Sequence, residues 1–187
     1  MEITIEALVV QIQAGDRDAF SQIYSSFINR IYKYIFYRIY AKEIAEDLTS
    51  QTFLKAVEKI HSYKSNKGSF AAWLYRIARN LVIDYLRSNR IKDDIFTLTH
   101  LSQEDDVEKT VLQKESLEQL QNFMDGLEIN QREIILLRVW DGLSYKEISQ
   151  VMGKSEKNCK MIFSRALAKL RSDFSTAAVL VLFFLFK

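Results

Sequence analysis

The chain of 187 residues has no proline, five glycines, one cysteine and two histidines. Each scarcity closes something off. With no Pro and little Gly, and without stretches of alternating apolar and polar residues, strands and tight hairpins have little to build on, so nearly the whole chain reads as helix. The lone Cys159 excludes an internal disulfide. The opening "MEITIEALVV" lacks the basic start and long apolar run of a secretion signal, so a reducing, cytoplasmic setting is expected. His61 and His100 have no partners at ligand spacing, so no metal site is expected. A phosphate-cradling Gly-rich loop and a Ser/His/Asp pattern are likewise missing, so neither a cofactor nor an enzymatic activity is expected.

What is present is an ordinary globular composition, 48% hydrophobic and 27% charged, with room for one or two small domains. The net charge of +2 hides an uneven distribution: residues 1–92 carry +5, residues 93–128 carry −8 and residues 129–187 carry +5. Two basic blocks flanking an acidic connector point toward nucleic acid more than the total does.

The expected fold class is all-α, with two small helical domains joined by a flexible acidic linker. Residues 1–88 form the first domain, with helices near 4–14, 18–39, 45–60 and 69–87. In the second of these, Phe20, Tyr24, Phe27, Ile31, Ile35 and Ile39 keep helical spacing. The polar "HSYKSNKGSF" between the last two is a loop. Residues 89–113 are the linker, since they are acidic and lack an apolar period. Residues 114–173 make a second domain, with helices near 114–125, 130–140, 144–152 and 155–172. Residues 174–187 are a hydrophobic tail.

Two segments carry chemistry. In "SFAAWLYRIARNLVIDYLR", residues 69–87, Phe70, Leu74, Ile77, Ala78, Leu81 and Tyr85 make a core stripe at about 100° per residue. Tyr75, Val82 and Leu86 adjoin it. A narrow strip remains: Trp73, Arg76, Asn80, Asp84 and Arg87. It is either a solvated face, with Asp84 pairing Arg87 or Arg76, or a surface offering an aromatic, cations and base-edge partners to single-stranded DNA. The second segment, "LSYKEISQVMGKSEKNCKMIFSRALAKLR", has the grammar of a helix-turn-helix. Ser144 and Glu147 suit a capping box, Gly153 permits the turn and Ser155 can cap the next helix. Cys159, Ile162, Phe163, Ala166 and Leu170 form that helix's inward stripe. Lys157, Lys160, Met161, Ser164, Arg165 and Ala168 are left outward, where cations and donors suit a major groove.

Taken together, these segments resemble the extracytoplasmic-function (ECF) group of the sigma-70 family of bacterial RNA polymerase sigma factors, from about residue 8 to residue 172. "AEDLTSQTFLKAVEKI" with "SFAAWLYRIARNLVIDYLR" looks like that family's region 2, and "NQREIILLRVWDGLSYKEISQVMGKSEKNCKMIFSRALAKLR" like its region 4. The resemblance implies that Asp47, Leu48, Gln51 and Phe53 dock on the coiled coil of the polymerase β′ subunit. It implies that Trp73, Arg76, Asn80, Asp84 and Arg87 melt and read the minus-ten element, with the loop from His61 to Ser69 capturing a flipped base. Lys157, Lys160, Met161, Ser164 and Arg165 would read the minus-thirty-five element. The implied partners are core RNA polymerase, through its β′ and β subunits, promoter DNA and an inhibitory anti-sigma factor. The acidic linker would run over the basic RNA exit path.

Three features depart from this pattern or compete with it. "GLEINQREI" lacks the Pro that often opens region 4, and Asn130 with Glu133 is expected to cap that helix instead. Met161 and Ile162 replace a small polar residue and an Arg, which favours apolar contact with a thymine methyl. Thr176 to Phe186 is uncharged for eleven residues; as a helix it is about 17 Å long, too short to span a hydrocarbon core of about 30 Å. Packing against this or another protein, shallow membrane contact through residues 176–186, and an accident of truncation or reading frame all remain open for it. The competing function is a free-standing helix-turn-helix regulator that binds duplex DNA without polymerase.

Overall fold

The computed structural model describes residues 4–93, 124 and 126–173. Among these residues are seven α-helices and no strand: α1 (Ile5–Gln13), α2 (Arg17–Ile39), α3 (Lys42–Lys59), α4 (Phe70–Asp93), α5 (Ile129–Ile135), α6 (Tyr145–Met152) and α7 (Glu156–Asp173). The all-α class is observed. By internal contacts the chain divides into two units, residues 1–98 with 146–153, and residues 99–145 with 154–187. The segment 94–123, which holds most of the expected linker and the helix expected near 114–125, lies outside the described residues, as does the tail from 174. No described helix is long and apolar enough to cross a membrane.

Three helices, α1, α2 and α4, start where a side chain satisfies free amides, whereas α3 starts at Ala41 without a side-chain cap. Thr4 Oγ1 accepts from Ala7 N at 3.3 Å, and Asp16 Oδ1 accepts from the amides of Asp18 and Ala19 at 2.9 and 3.3 Å. Ser69 Oγ accepts from Ala72 N at 3.3 Å to open α4. α2 ends at Tyr40, whose φ of 55° turns the chain into α3 while its N–H donates to Phe36 O at 2.7 Å.

α2 packs on α1, α3 and α4, and α3 packs on α4. Their shared core holds Ile23, Phe27, Ile31 and Ile35 of α2, Ala45, Leu48, Phe53 and Ala56 of α3, and Phe70, Leu74, Tyr75, Ala78 and Val82 of α4. The buried face of α2 is turned slightly from the expected stripe. Tyr34 and Arg38 join it, while Tyr24 is 41% exposed. Arg38 enters because its guanidinium donates to Tyr34 Oη at 2.6 Å and lies over that ring at 5.3 Å. The buried hydroxyls of Thr49 and Thr52 donate to Ala45 O and Leu48 O at 2.6 and 2.7 Å, so they enter the core already paired.

In the second unit α5 packs on α7 around Met124, Leu127, Ile134, Leu136, Leu137, Cys159, Ala166 and Leu170. α5 begins earlier than expected: Gln131 Oε1 accepts from Glu128 N at 3.2 Å in a capping box, which leaves Asn130 inside the helix. The helix expected near 130–140 changes hand-hold at Leu136, where Leu136–Trp140 winds as a wider π turn. Ile134, Ile135, Leu136 and Leu137 are all buried in succession, more than one face of a regular helix can hold.

Candidate nucleic-acid interface and docking surface

On α3, Asp47 is exposed and Gln51 half-buried, and Gln51 Nε2 donates to Asp47 Oδ2 at 2.7 Å. Leu48 and Phe53, from the same expected set, are only 5% and 4% exposed and face the core. The Phe53 ring meets Tyr24 at 4.8 Å, tilted by 60°. The outward face instead continues through Ser50 to Leu54, which is 64% exposed. Leu54 was legible in principle, as an apolar residue three positions beyond Gln51 and seven beyond Asp47 on a polar face.

α4 has a buried face and an exposed one. Arg76, Asn80, Asp84 and Arg87 are all exposed and follow one another at helical steps of three and four. Trp73 begins that line half-buried, with its ring centroid 5.6 Å from Tyr63 and 5.4 Å from Phe70. The local pairing foreseen for Asp84 is made: Arg87 Nη2 lies 3.2 Å from Asp84 Oδ1. Both groups are well exposed, so the pair is worth about 0–1 kcal/mol and either member is easily recruited by another partner.

The loop between α3 and α4 sits against the Trp73 end of this strip. It consists of two short turns, Ile60–Ser62 and Ser65–Lys67, with Tyr63 buried between them. The Tyr63 ring meets Phe70 at 5.6 Å, and its hydroxyl donates to Gly68 O at 3.1 Å. Burial pushes the Tyr63 phenol up, with Glu6 adding to the rise, so it remains a donor. His61, Ser62, Lys64, Ser65, Asn66 and Lys67 are exposed.

On α7, Lys157, Lys160, Met161, Ser164 and Arg165 are all exposed, and Cys159, Ala166 and Leu170 face inward. Gly153, at φ +65°, makes the turn before it, and Ser155 Oγ accepts from Asn158 N at 3.2 Å. The thiol of Cys159 is pushed up by burial, with Glu133 and Glu156 adding to the rise against Lys154. It is a packing residue. Two residues that the sequence did not single out complete this surface. Tyr145 lies with its ring 5.6 Å from Lys160 Nζ and 4.9 Å from the Arg138 guanidinium, and 6.0 Å from Phe163. Arg138 also donates to Leu143 O at 2.8 Å. Such cation–π contacts contribute about 0.5–1 kcal/mol at exposed sites and hold the Lys160 amine near the exposed face. Periodicity gave no sign of them, since they join separate elements.

Residues 23–91 match Sigma-70 region 2, and residues 117–170 match Sigma-70, region 4. The chain is similar to the ECF RNA polymerase sigma factor BldN of Streptomyces coelicolor, with 40% identity over 172 residues. That match covers 89% of this chain but 65% of the relative, so this chain spans just under two thirds of that protein's length. It is also 34% identical over 155 residues to the ECF RNA polymerase sigma factor SigM of Bacillus subtilis, covering 81% of this chain and 92% of that protein. Among solved structures, the sigma factor RpoE of Bartonella quintana, in complex with the anti-sigma factor NepR, shares the fold. The TM-score is 0.67 at 24% identity, over 82% of this chain and 94% of that one. The competing reading as a free-standing regulator is overturned: the N-terminal block it assigned to sensing or dimerising matches Sigma-70 region 2 over residues 23–91, and the relatives are sigma factors.

Proposed function

The chain belongs to the sigma-70 family, as an ECF sigma factor, and from that premise we propose how its surfaces divide the work of starting transcription. The outward face of α3, with Asp47, Gln51 and Leu54, docks on the β′ coiled coil of core RNA polymerase, while Leu48 and Phe53 hold that face in place from the core. Arg76, Asn80, Asp84 and Arg87 follow the separated minus-ten DNA, cations on phosphates and amide or carboxylate on base edges. Trp73 and the His61–Ser69 loop receive an unstacked base. Lys157, Lys160, Met161, Ser164 and Arg165 enter the major groove of the minus-thirty-five element, where Met161 offers an apolar contact to a thymine methyl. The domain boundaries proposed for these tasks are residues 1–88 and 114–173. An anti-sigma factor, as in the RpoE complex, is proposed as the inhibitory partner, and the cytoplasm as the compartment.

The observation that carries this reading is the exposed line from Arg76 to Arg87 beginning at a Trp anchored beside an exposed polar loop. Unstacking a base costs a few kcal/mol, and an anchored aromatic with adjacent phosphate and base-edge partners is the equipment that offsets it. No covalent step is needed; RNA synthesis belongs to the polymerase. The test is run-off transcription with the purified protein, bacterial core RNA polymerase and a pool of upstream DNA fragments, each component omitted in turn. Transcripts starting at defined sites only when both proteins are present are expected. Specific binding of duplexes by the protein alone, without transcripts, would overturn the reading.

A further inference from the structure

The loop proposed to take the flipped base is tied from a distance by α1. Gln13, in the last turn of α1, uses its side-chain amide to donate to two backbone carbonyls of the loop, Ile60 O at 2.8 Å and Tyr63 O at 3.2 Å. Ile60 O also accepts from Tyr63 N at 3.1 Å, so the amide closes over the first turn of the loop. On the other side of Tyr63, its hydroxyl holds Gly68 O. Gly68, at φ +155°, lies in a region that side-chain-bearing residues rarely adopt. Between these fastenings Lys64, Ser65, Asn66 and Lys67 stand exposed, with Lys67 N donating to Lys64 O at 3.0 Å.

We infer that Gln13 is a positioning residue for base selection: it fixes the loop before DNA arrives, so that the exposed tip meets the flipped base in one conformation. The inference rests on the proposed function of the loop. Its logic is preorganisation, since a loop ordered in advance spares that ordering at the moment of binding. A glutamine is suited to the task because its NH2 carries two donors and the loop offers two carbonyls. The residue lies on a helix with no part in either DNA-facing strip, so an effect on base choice is not expected from its position in sequence.

The test replaces Gln13→Glu, which keeps the size and removes both donors, beside Gln13→Lys, which keeps donors, and Tyr63→Phe, which removes only the hydroxyl. With core polymerase and a promoter recovered by run-off transcription, open-complex formation is compared between that promoter and its single-base minus-ten variants, and polymerase affinity is measured in parallel. Q13E and Y63F are expected to lower discrimination at one minus-ten position by about tenfold, the scale of a lost hydrogen bond at a pre-ordered site. Polymerase affinity is expected to stay unchanged, and Q13K to recover part of the discrimination. If Q13E fails to fold, Y63F carries the comparison alone. Wild-type discrimination in folded Q13E or Y63F, or an equal loss at every position, would overturn the inference. Failure of the wild-type protein to start transcription at all would instead count against the proposed function.

Discussion

Replacing Leu54 by alanine separates docking from folding, because this residue has almost nothing to do with the core. It is 64% exposed, whereas its neighbour Phe53 is 4% exposed. Fully burying a leucine side chain is worth about 1.5–3 kcal/mol, so covering the exposed two thirds on a partner contributes about 1–2 kcal/mol. L54A should therefore weaken binding to core polymerase by about 5- to 30-fold. A surface change of this kind leaves stability within about 0.5 kcal/mol. Phe53→Ala works the other way: a buried aromatic truncated to a methyl costs about 3–5 kcal/mol of fold stability. Affinity by fluorescence anisotropy with labelled protein, beside chemical denaturation of each variant, reads both quantities. L54A with unchanged affinity, while Asp47→Ala lowers it, would remove Leu54 from the docking face; unchanged affinity in both would refute the assignment of α3.

The double change Trp73→Ala with Asn80→Ala should abolish permanganate reactivity of minus-ten thymines while polymerase pull-down persists, and normal opening would sink the strip assignment. Cys159, buried and with its thiol pushed up, should react with iodoacetamide only as fast as the fold opens, so fast labelling of the native protein would contradict its placement. Burial, with Tyr32 adding to the rise, pushes Tyr37 up to about 12 from 10.0. The folded state thus favours the protonated phenol: its contribution is complete below pH 10 and declines by about 1.4 kcal/mol per pH unit as pH rises toward 12. Tyr37→Phe should flatten the stability curve in that window, and an unaltered slope would show that the phenol ionises as freely folded as unfolded.

The helices were legible because their signals are local. Ser155 caps α7 as its residue type predicts, and of the expected stripes Phe70, Leu74, Ala78 and Leu81 on α4 and Cys159, Ala166 and Leu170 on α7 are buried, with Ile77, Tyr85, Ile162 and Phe163 half-buried. What escaped depends on particular side-chain pairings that periodicity does not show. Arg38 reads as a surface cation until Tyr34, one turn before it on α2, is seen to receive it. Tyr145 reads as one residue of a short helix until Arg138 and Lys160 arrive on its ring. Gln13 reads as the polar end of α1, and its purpose lies nearly fifty residues on, in two carbonyls that carry no sequence signal at all. The continuation of α4 to Asp93 was missed for a different reason: "SNRIKD" mixes weak helix formers (Ser, Asn, Asp) with good ones (Arg, Lys) and has no breaker, so propensity alone sets no boundary there.

The division of α4 into two faces has a consequence for how such a chain can change. Leu74, Tyr75, Ala78 and Val82 are fully buried, while Arg76, Asn80, Asp84 and Arg87 on the same helix are exposed. On the assignment proposed above, substitution along the exposed line alters what DNA meets at little cost to the fold, and promoter preference moves residue by residue. Trp73 is the exception. It is the one member of the strip packed on Tyr63 and Phe70, so it links the core, the loop and the strip, and altering it disturbs all three. On this argument the aromatic end of the strip is where base capture and stability are coupled, and the polar remainder is where specificity is free to vary.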